Sequence, residues 1–287
     1  MDALFTFVPA LADDPPALVA RSRETLRPMG RGDDCVRLLL PGADDTNSAL
    51  AARGLEALHH TAVLEIHNPS ARNALSGKMM AELADAVAQL EDPGVHRELN
   101  AVLLSGSGGW FCAGADLRVA QKQLASNDAG TAMSALMVDT LSRFRRLPLV
   151  SFAVVEGGAY GGGAELATSC DYRFVEASAV VQFVQARMGV SPGWGGGARL
   201  YKLVGRQHAL RLLCTAAKTS AHEAMVLGLA DLVLHGQKRV ITNADDVSLD
   251  DLAAFEHGVF KSLWGGPANL RALESFKKKT PSPKAHE

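Results

Sequence analysis

The 287-residue chain has no excess of charge of either sign, with 29 Lys and Arg against 31 Asp and Glu and a formal net charge of −2. So even a balance presents no basic footprint for a nucleic-acid backbone or an anionic membrane. No apolar run approaches the roughly 20 residues that a membrane-spanning helix needs, and no internal repeat or low-complexity tract interrupts the chain. Cysteine is scarce. Cys35, Cys112, Cys170 and Cys214 are far apart, with neither metal-ligand nor disulfide-framework spacing, which points to a reducing compartment. The mildly apolar residues 1–10 carry no basic run and are followed by Asp13 and Asp14, so neither a secretory signal nor a mitochondrial leader is expected. The cytoplasm is the default location. With 47% hydrophobic and 21% charged residues, what remains is a folded globular protein rather than a disordered one.

Apolar periodicity supplies the elements. Residues 61–67 read as a strand closed by a turn at Asn68, Pro69 and Ser70, and Met79, Leu83, Val87 and Leu90 recur at helical spacing over residues 76–90. A short strand is expected over 101–105, a helix over 132–146 and a third strand over 149–155. Short strands over 171–175 and 180–184 and a helix over 205–213 follow, and Ser220 with Glu223 has the spacing of a capping box that opens another helix. Strands alternating with helices imply βαβ units and a largely parallel, buried sheet. The organisation is residues 1–57 as an amino-terminal extension without assignable elements, 58–234 as the main domain, and 235–287 as a carboxyl-terminal region ending in a basic tail.

Two glycine-rich turns follow predicted strands. One is Trp110-Phe111-Cys112-Ala113-Gly114-Ala115-Asp116-Leu117; the other, Glu156-Gly157-Gly158-Ala159-Tyr160-Gly161-Gly162-Gly163-Ala164-Glu165, runs into a helix. Such turns bring backbone N–H groups close to a ligand, and two of them facing each other could donate to one oxygen as an oxyanion hole. The plainer alternative is a tight turn that lets helix and sheet pack closely. Neither turn has the G-x-G-x-x-G order of a dinucleotide site or the Lys-Ser/Thr of a Walker loop.

Taken with residues 68–76, Cys170-Asp171, residues 188–192 and Gly228-Leu229-Ala230-Asp231, these turns resemble the crotonase (enoyl-CoA hydratase/isomerase) superfamily, motif by motif and in order, over about residues 62–234. The resemblance implies an α/β fold, a crotonase-like spiral of ββα units with a C-terminal helical region, shortened here between Leu234 and Leu263. It implies an acyl-CoA thioester as substrate, and a homo-oligomer, trimer or hexamer, with neither nucleic acid nor membrane as partner. The backbone N–H groups of Ala115 and Gly162 would hold the thioester oxygen. Ala71, Ala113, Asp116, Leu117 and Gly161 would line the bound substrate, and Lys277 would reach a CoA phosphate. Hydratases of the family carry two glutamates; Glu165 matches the first, and the second slot, twenty residues on, holds Gln185. An amide cannot serve as a general base near neutral pH.

A narrower resemblance lies in residues 141–150, residues 183–196 and the run Trp264-Gly265-Gly266-Pro267-Ala268-Asn269-Leu270. These are similar to a branch of the family that decarboxylates 2-carboxyacyl-CoA thioesters, ethylmalonyl-CoA and less well methylmalonyl-CoA, as metabolite repair. Loss of CO2 leaves an enolate that two N–H donors stabilise, with no metal or organic cofactor. Glu165 would then donate the proton or orient the substrate carboxylate, or else only satisfy backbone N–H groups at a helix start. Trp194 would wall the acyl pocket or pack in the core, and Gln185 would bond the leaving carboxylate or solvate the rim. Tyr160 would reach the acyl group or be buried, Cys112 would fill apolar space, and Asp171 would order its turn. Two other readings stay open: an enoyl-CoA hydratase or isomerase working through Glu165 alone, and a non-catalytic acyl-CoA-binding relative.

Overall fold

A computed structural model of the protein describes residues 15–42, 60–123 and 126–234. The chain divides into two compact units, Met1–Val233 and Leu234–Glu287, and all of the second but Leu234 falls outside the described residues. The shortened helical region, the Trp264–Leu270 run and Lys277 therefore lie outside them too.

Helix α1 (Pro15–Leu26) and strand β1 (Cys35–Leu39) come first, followed by β2 (Thr61–His67), where the expected strand falls residue for residue. The Ser76 hydroxyl accepts the Met79 N–H and starts α2 (Gly77–Leu90), whose inner face buries Met79, Met80, Leu83, Val87 and Leu90. The one-turn helix α3 (Pro93–His96) leads to strand β3 (Ala101–Gly106), then to α4 (Leu117–Gln123) and α5 (Asn127–Phe144). Strand β4 (Val150–Val155), β5 (Gly158–Tyr160) and α6 (Gly162–Ala167) form the next unit. Strands β6 (Tyr172–Glu176) and β7 (Val180–Gln182) precede α7 (Gly196–Thr215), and β8 (Thr219–Ser220), α8 (Ala221–Val226) and β9 (Leu232–Leu234) end the described chain.

The larger sheet has the order β1-β2-β3-β4-β6-β9. Strands β2, β3, β4 and β6 are parallel neighbours, with Leu64 beside Leu104 and Leu104 beside Ala153, while β1 joins antiparallel. A smaller sheet, β5-β7-β8, runs beside it, and two single bridges, Leu75 to Ala115 and Cys112 to Ala159, extend it toward the early units. Each main strand is thus followed by a short stretch in the inner layer and then by a helix. The four repeats are β2 with Leu75 and α2, β3 with residues 112–115 and α4, β4 with β5 and α6, and β6 with β7 and α7. This is the expected ββα spiral, and it gathers all four inner stretches on one side of the larger sheet.

Departures from expectation have local causes. Within residues 1–57, where no element could be assigned, α1 packs on α2 and α5 with Leu26 wholly buried, and β1 pairs with β2. Helix α5 starts at Asn127, not near 132, because the Ser126 hydroxyl accepts the Ala129 N–H at 3.2 Å. Helix α7 starts at Gly196 rather than 205, and Gly205 (φ 76°, ψ 170°) is a break inside it. The capping box is half formed: the Ser220 hydroxyl accepts the Glu223 N–H at 3.2 Å, but the Glu223 carboxylate turns to Arg211 at 2.7 Å. Asp171 does order its turn, its Oδ2 accepting from the Ser151 N–H at 2.9 Å and hydroxyl at 2.7 Å.

The Gly228–Asp231 motif is explained by Arg173, whose guanidinium is 3% exposed. It donates to Asp231 Oδ2 at 2.7 Å, to the Leu229 carbonyl at 2.8 Å and to the Cys170 carbonyl at 2.8 Å. A buried cation that loses its anion costs several kcal/mol. Asp231→Ala should therefore lower the unfolding free energy by about 3 kcal/mol, read as a lower urea midpoint with an unchanged slope; a midpoint within error of the parent would show the pair to be dispensable.

Candidate active site

The turn after β2 is organised by Asn73, which is wholly buried. Its Nδ2 donates to the carbonyls of Ser107 at 2.8 Å and Trp110 at 2.6 Å, and its Oδ1 accepts the Asn68 N–H at 2.8 Å. Arg72 and Asn73 are both left-handed (φ 52° and 56°), and the Arg72 guanidinium lies 4.7 Å over the Trp110 ring. The turn then grips the segment after β3: Ala113 N–H donates to the Arg72 carbonyl at 3.0 Å, Leu75 N–H to Gly114 at 2.7 Å, and Asp116 N–H to Leu75 at 2.8 Å. Bonds from Leu75 on both sides of Ala115 turn the Ala115 N–H the other way. Among the described residues that N–H donates to nothing.

The second donor stands at the start of α6. Gly161 holds φ 52° and ψ −116°, open only to glycine, and its N–H donates to the Gln182 carbonyl at 2.8 Å. Gly162 is the first helical residue, so its own N–H has no partner within the helix. The two turns touch. A Cβ on Gly114 would stand 3.1 Å from the Gly162 nitrogen, and one on Gly163 would stand 2.1 Å from the Cys112 oxygen. Glycine is required here for close packing, the plainer of the two alternatives, and the same packing leaves the Ala115 and Gly162 N–H groups on adjoining turns.

Glu165, one turn into α6 and 2% exposed, is the hub of what faces these donors. Its Oε1 accepts from Gln185 Nε2 at 2.8 Å and from the Gly193 N–H at 3.3 Å; its Oε2 accepts the N–H groups of Trp194 and Gly196, both at 2.8 Å. Both oxygens of the side chain thus serve as acceptors, three of the four donors being backbone N–H groups. Helix α7 has glycine at its cap position, with no side chain to start it, and Glu165 does that work from another helix. The backbone carbonyls of the same loop are held in turn. Ser134 donates to Gly193 at 2.7 Å, and Arg199 donates to Trp194 at 2.7 Å and to the Glu165 carbonyl at 3.1 Å. Burial pushes the Arg199 guanidinium down to about 10, against the pull of the Glu165 carboxylate, which leaves it charged at neutral pH.

This loop sets the Trp194 indole, 3% exposed, directly against Gly162, where a Cβ would lie 2.4 Å from the ring. The structure therefore brings together Ala113, Ala115, Gly161, Gly162, Glu165, Gln185 and Trp194. Asp116 is turned elsewhere: its carboxylate, 3% exposed, accepts the Arg118 N–H at 2.8 Å and the Val119 N–H at 3.3 Å and so starts α4. Leu117, 56% exposed, begins that helix, and Ala71 closes the 3-10 turn Pro69–Ala71 beside Arg72. The Tyr160 ring is turned onto Gly158 and Trp110, 6.1 Å from the latter. Cys112 is wholly buried, and burial pushes its thiol up to about 12, in keeping with an apolar filler. Sequence reasoning missed Asn73, Ser134 and Arg199, because what they hold is backbone from distant segments.

Residues 57–247 match the family model described as enoyl-CoA hydratase/isomerase. Among curated proteins, the chain is 42% identical over 243 residues to the ethylmalonyl-CoA decarboxylase of Danio rerio, covering 75% of this chain and 79% of that one. It is 36% identical over 245 residues to the ethylmalonyl-CoA decarboxylase of Mus musculus, covering 76% and 75%. Among solved structures it is similar to an enoyl-CoA hydratase from Bacillus anthracis, with a TM-score of 0.59, 26% identity and 80% and 97% of the two chains covered. An enoyl-CoA hydratase from Thermoplasma volcanium gives a TM-score of 0.55 at 30% identity, covering 75% and 93%.

Two outcomes follow from this packing. Glu165→Ala leaves three backbone N–H groups and an amide without their acceptor, so the unfolding free energy should fall by about 3 kcal/mol or more, with the Trp194 emission shifting to the red; an unmoved midpoint would mean that water replaces the carboxylate. At pH 8, iodoacetamide should modify the exposed Cys214 first and leave the buried Cys112 and Cys170 untouched until the protein unfolds. Peptide mapping checks this, and early labelling of Cys112 would contradict it.

Proposed function

The chain belongs to the enoyl-CoA hydratase/isomerase family, and on that premise we propose that it is a carbon–carbon lyase that decarboxylates 2-carboxyacyl-CoA thioesters, ethylmalonyl-CoA best and methylmalonyl-CoA less well. The observation that carries this reading is the pair of free backbone donors on Ala115 and Gly162, set beside a buried indole, with an amide rather than a second carboxylate next to Glu165.

Decarboxylation of such a thioester moves the electron pair of the C–CO2 bond into an enolate, whose charge settles on the thioester oxygen. The Ala115 and Gly162 N–H groups hold that oxygen. Removing one such donor typically costs about 3 kcal/mol of transition-state stabilisation, so two supply roughly a 10⁴-fold rate factor. They cost nothing to reorganise, because Leu75 fixes the one and the helix start fixes the other. Trp194 walls the acyl group and keeps bulk water from the departing carboxylate. Ala113 and Gly161 form the backbone floor on either side of the oxyanion donors. The turn over residues 68–74, with Ala71, and the stretch over 113–117 carry the adenosine end of CoA. Lys277 is assigned to a CoA phosphate.

Glu165 acts here as a positioning residue. Its charge is spent on four donors, so it holds Trp194 and the start of α7 in place rather than giving up a proton. This also eases its repulsion of the substrate carboxylate, since each donated N–H lowers the negative potential at its oxygens. Water addition finds no base, because the group beside Glu165 is the Gln185 amide. The protein works in the cytoplasm as metabolite repair and assembles as a trimer or hexamer. Four free cysteines fit that compartment, and exposed Met188 (56%) and Val190 (60%) offer apolar surface for such an assembly. No helix among the described residues is long and apolar enough to cross a membrane.

Incubation with ethylmalonyl-CoA and methylmalonyl-CoA should give butyryl-CoA and propionyl-CoA by mass spectrometry, the first faster. Gly162→Ala, whose Cβ meets the Trp194 ring, should lower kcat by about a hundredfold. Intact malonyl-type thioesters together with hydrated or isomerised crotonyl-CoA would replace the reaction and keep the fold. No turnover of any thioester would leave a non-catalytic acyl-CoA-binding protein.

A further inference from the structure

Decarboxylation leaves an enolate that needs a proton on carbon, and among the described residues the side chains around Gly162 offer no acid. Both oxygens of Glu165 are taken up accepting N–H groups, two on each, and face loop backbone and the Gln185 amide. The donors of Arg199 face the carbonyls of Glu165 and Trp194 and the Thr168 hydroxyl. Cys112 is wholly buried and bonded to the Gly114 N–H, and the Tyr160 ring is turned onto Gly158 and Trp110. The carboxamide of Gln185 remains. Its Nε2 is the end that faces Glu165, donating to Oε1 at 2.8 Å. Its Oε1 is therefore the outer atom, and that oxygen is buried with no donor to it among the described residues. Gln185 as a whole is 7% exposed. A buried amide oxygen without a donor costs free energy that a bound water recovers.

We propose that Gln185 is a positioning residue that holds, at Oε1, the water which protonates the enolate carbon after CO2 has left. The inference rests on the decarboxylase reading. The held water donates one O–H to Gln185 Oε1 and turns the other toward the substrate. The Glu165 carboxylate takes the Gln185 amide on Oε1 and the Trp194 N–H on Oε2, and the Trp194 ring lies against Gly162, so the amide stands in the cluster that surrounds the Gly162 donor. In the step itself the C–CO2 bond breaks and its electrons form the enolate. The enolate carbon then takes a proton from water, and the hydroxide so formed adds to CO2. The balance is 2-carboxyacyl thioester anion plus water giving acyl thioester plus bicarbonate. Glu165 has a second use in this scheme: by fixing Nε2 it decides which way Oε1 points, and so the face of the enolate that receives the proton.

Stereochemistry tests this where a merely structural role would not show. Freshly dissolved ethylmalonyl-CoA decarboxylated in D2O by the parent protein should give butyryl-CoA bearing one deuterium at C2 in a single configuration. Gln185→Met, close in size and without the acceptor, should give both configurations and a kcat lowered about tenfold or more, with KM within threefold. A parent product of mixed configuration would overturn the inference without any variant, as would single-configuration labelling at the parent kcat by Gln185→Met. Both of those outcomes leave the decarboxylase reading standing. A parent protein that leaves ethylmalonyl-CoA and methylmalonyl-CoA unchanged removes that reading, and this inference with it.

Discussion

One buried carboxylate organises the reactive side of this molecule. Glu165 sits in the third repeat of the spiral, yet the groups it binds belong to the fourth: the amide of Gln185 and the backbone of Gly193, Trp194 and Gly196. An ion this deep is tolerated only when its lone pairs are met, and here the donors come from a glycine-rich loop that has little structure of its own. The dependence runs both ways. Without the loop the charge would be unpaired, and without the charge the loop, the indole it carries and the first turn of α7 would have no anchor. Arg199, on that same helix, returns to the Glu165 carbonyl and closes the arrangement.

That arrangement also explains which parts of the fold were legible in the sequence. Strand β2 and helix α2 were readable because their signals are local: an apolar run ended by Asn68 and Pro69, and a serine cap at 76 before a 3.6-residue apolar stripe. Helix α7 was read as starting nine residues late because Gly193, Gly195, Gly196 and Gly197 look like helix breakers. The helix starts there because its first N–H is met by a side chain 31 residues earlier, a contact that periodicity cannot express. Strand β1 was hidden for a related reason: five residues that follow Asp33 and Asp34 and carry Arg37 at their centre become a strand only when β2 pairs with them.

The candidate site divides along the same line. Ala115, Gly162 and Glu165 were nameable because glycine-rich turns after strands are visible as words in the sequence. What those words do was less visible. Asp116 was named as a substrate contact by resemblance alone, and what its carboxylate does locally was not read: it stands two residues before Arg118, accepts that N–H and starts a helix. Asn73, Ser134 and Arg199 passed unnoticed although each braces a turn that presents a donor or the indole. Their partners are main-chain atoms 34 to 59 residues away or across a helix start, as with Asn73 to Ser107 and Ser134 to Gly193.

The Arg173–Asp231 tie has a consequence for motion. The two residues also exchange backbone bonds, Arg173 N–H to the Asp231 carboxylate and Asp231 N–H to the Arg173 carbonyl, so a segment of 58 residues is pinned shut at its base. Gln185, Trp194 and Arg199 all lie inside that segment. Its amides should exchange with solvent as one cooperative block whose opening requires the buried arginine to lose its partner. The stretch over residues 186–191 is exposed throughout, and its backbone is tied only to near neighbours, Arg187 N–H to Val184, Gly189 N–H to Ala186 and Val190 N–H to Gln185. Amides in that stretch should exchange ahead of the rest, because their bonds close only short turns, while the pinned block keeps the indole and the amide in place.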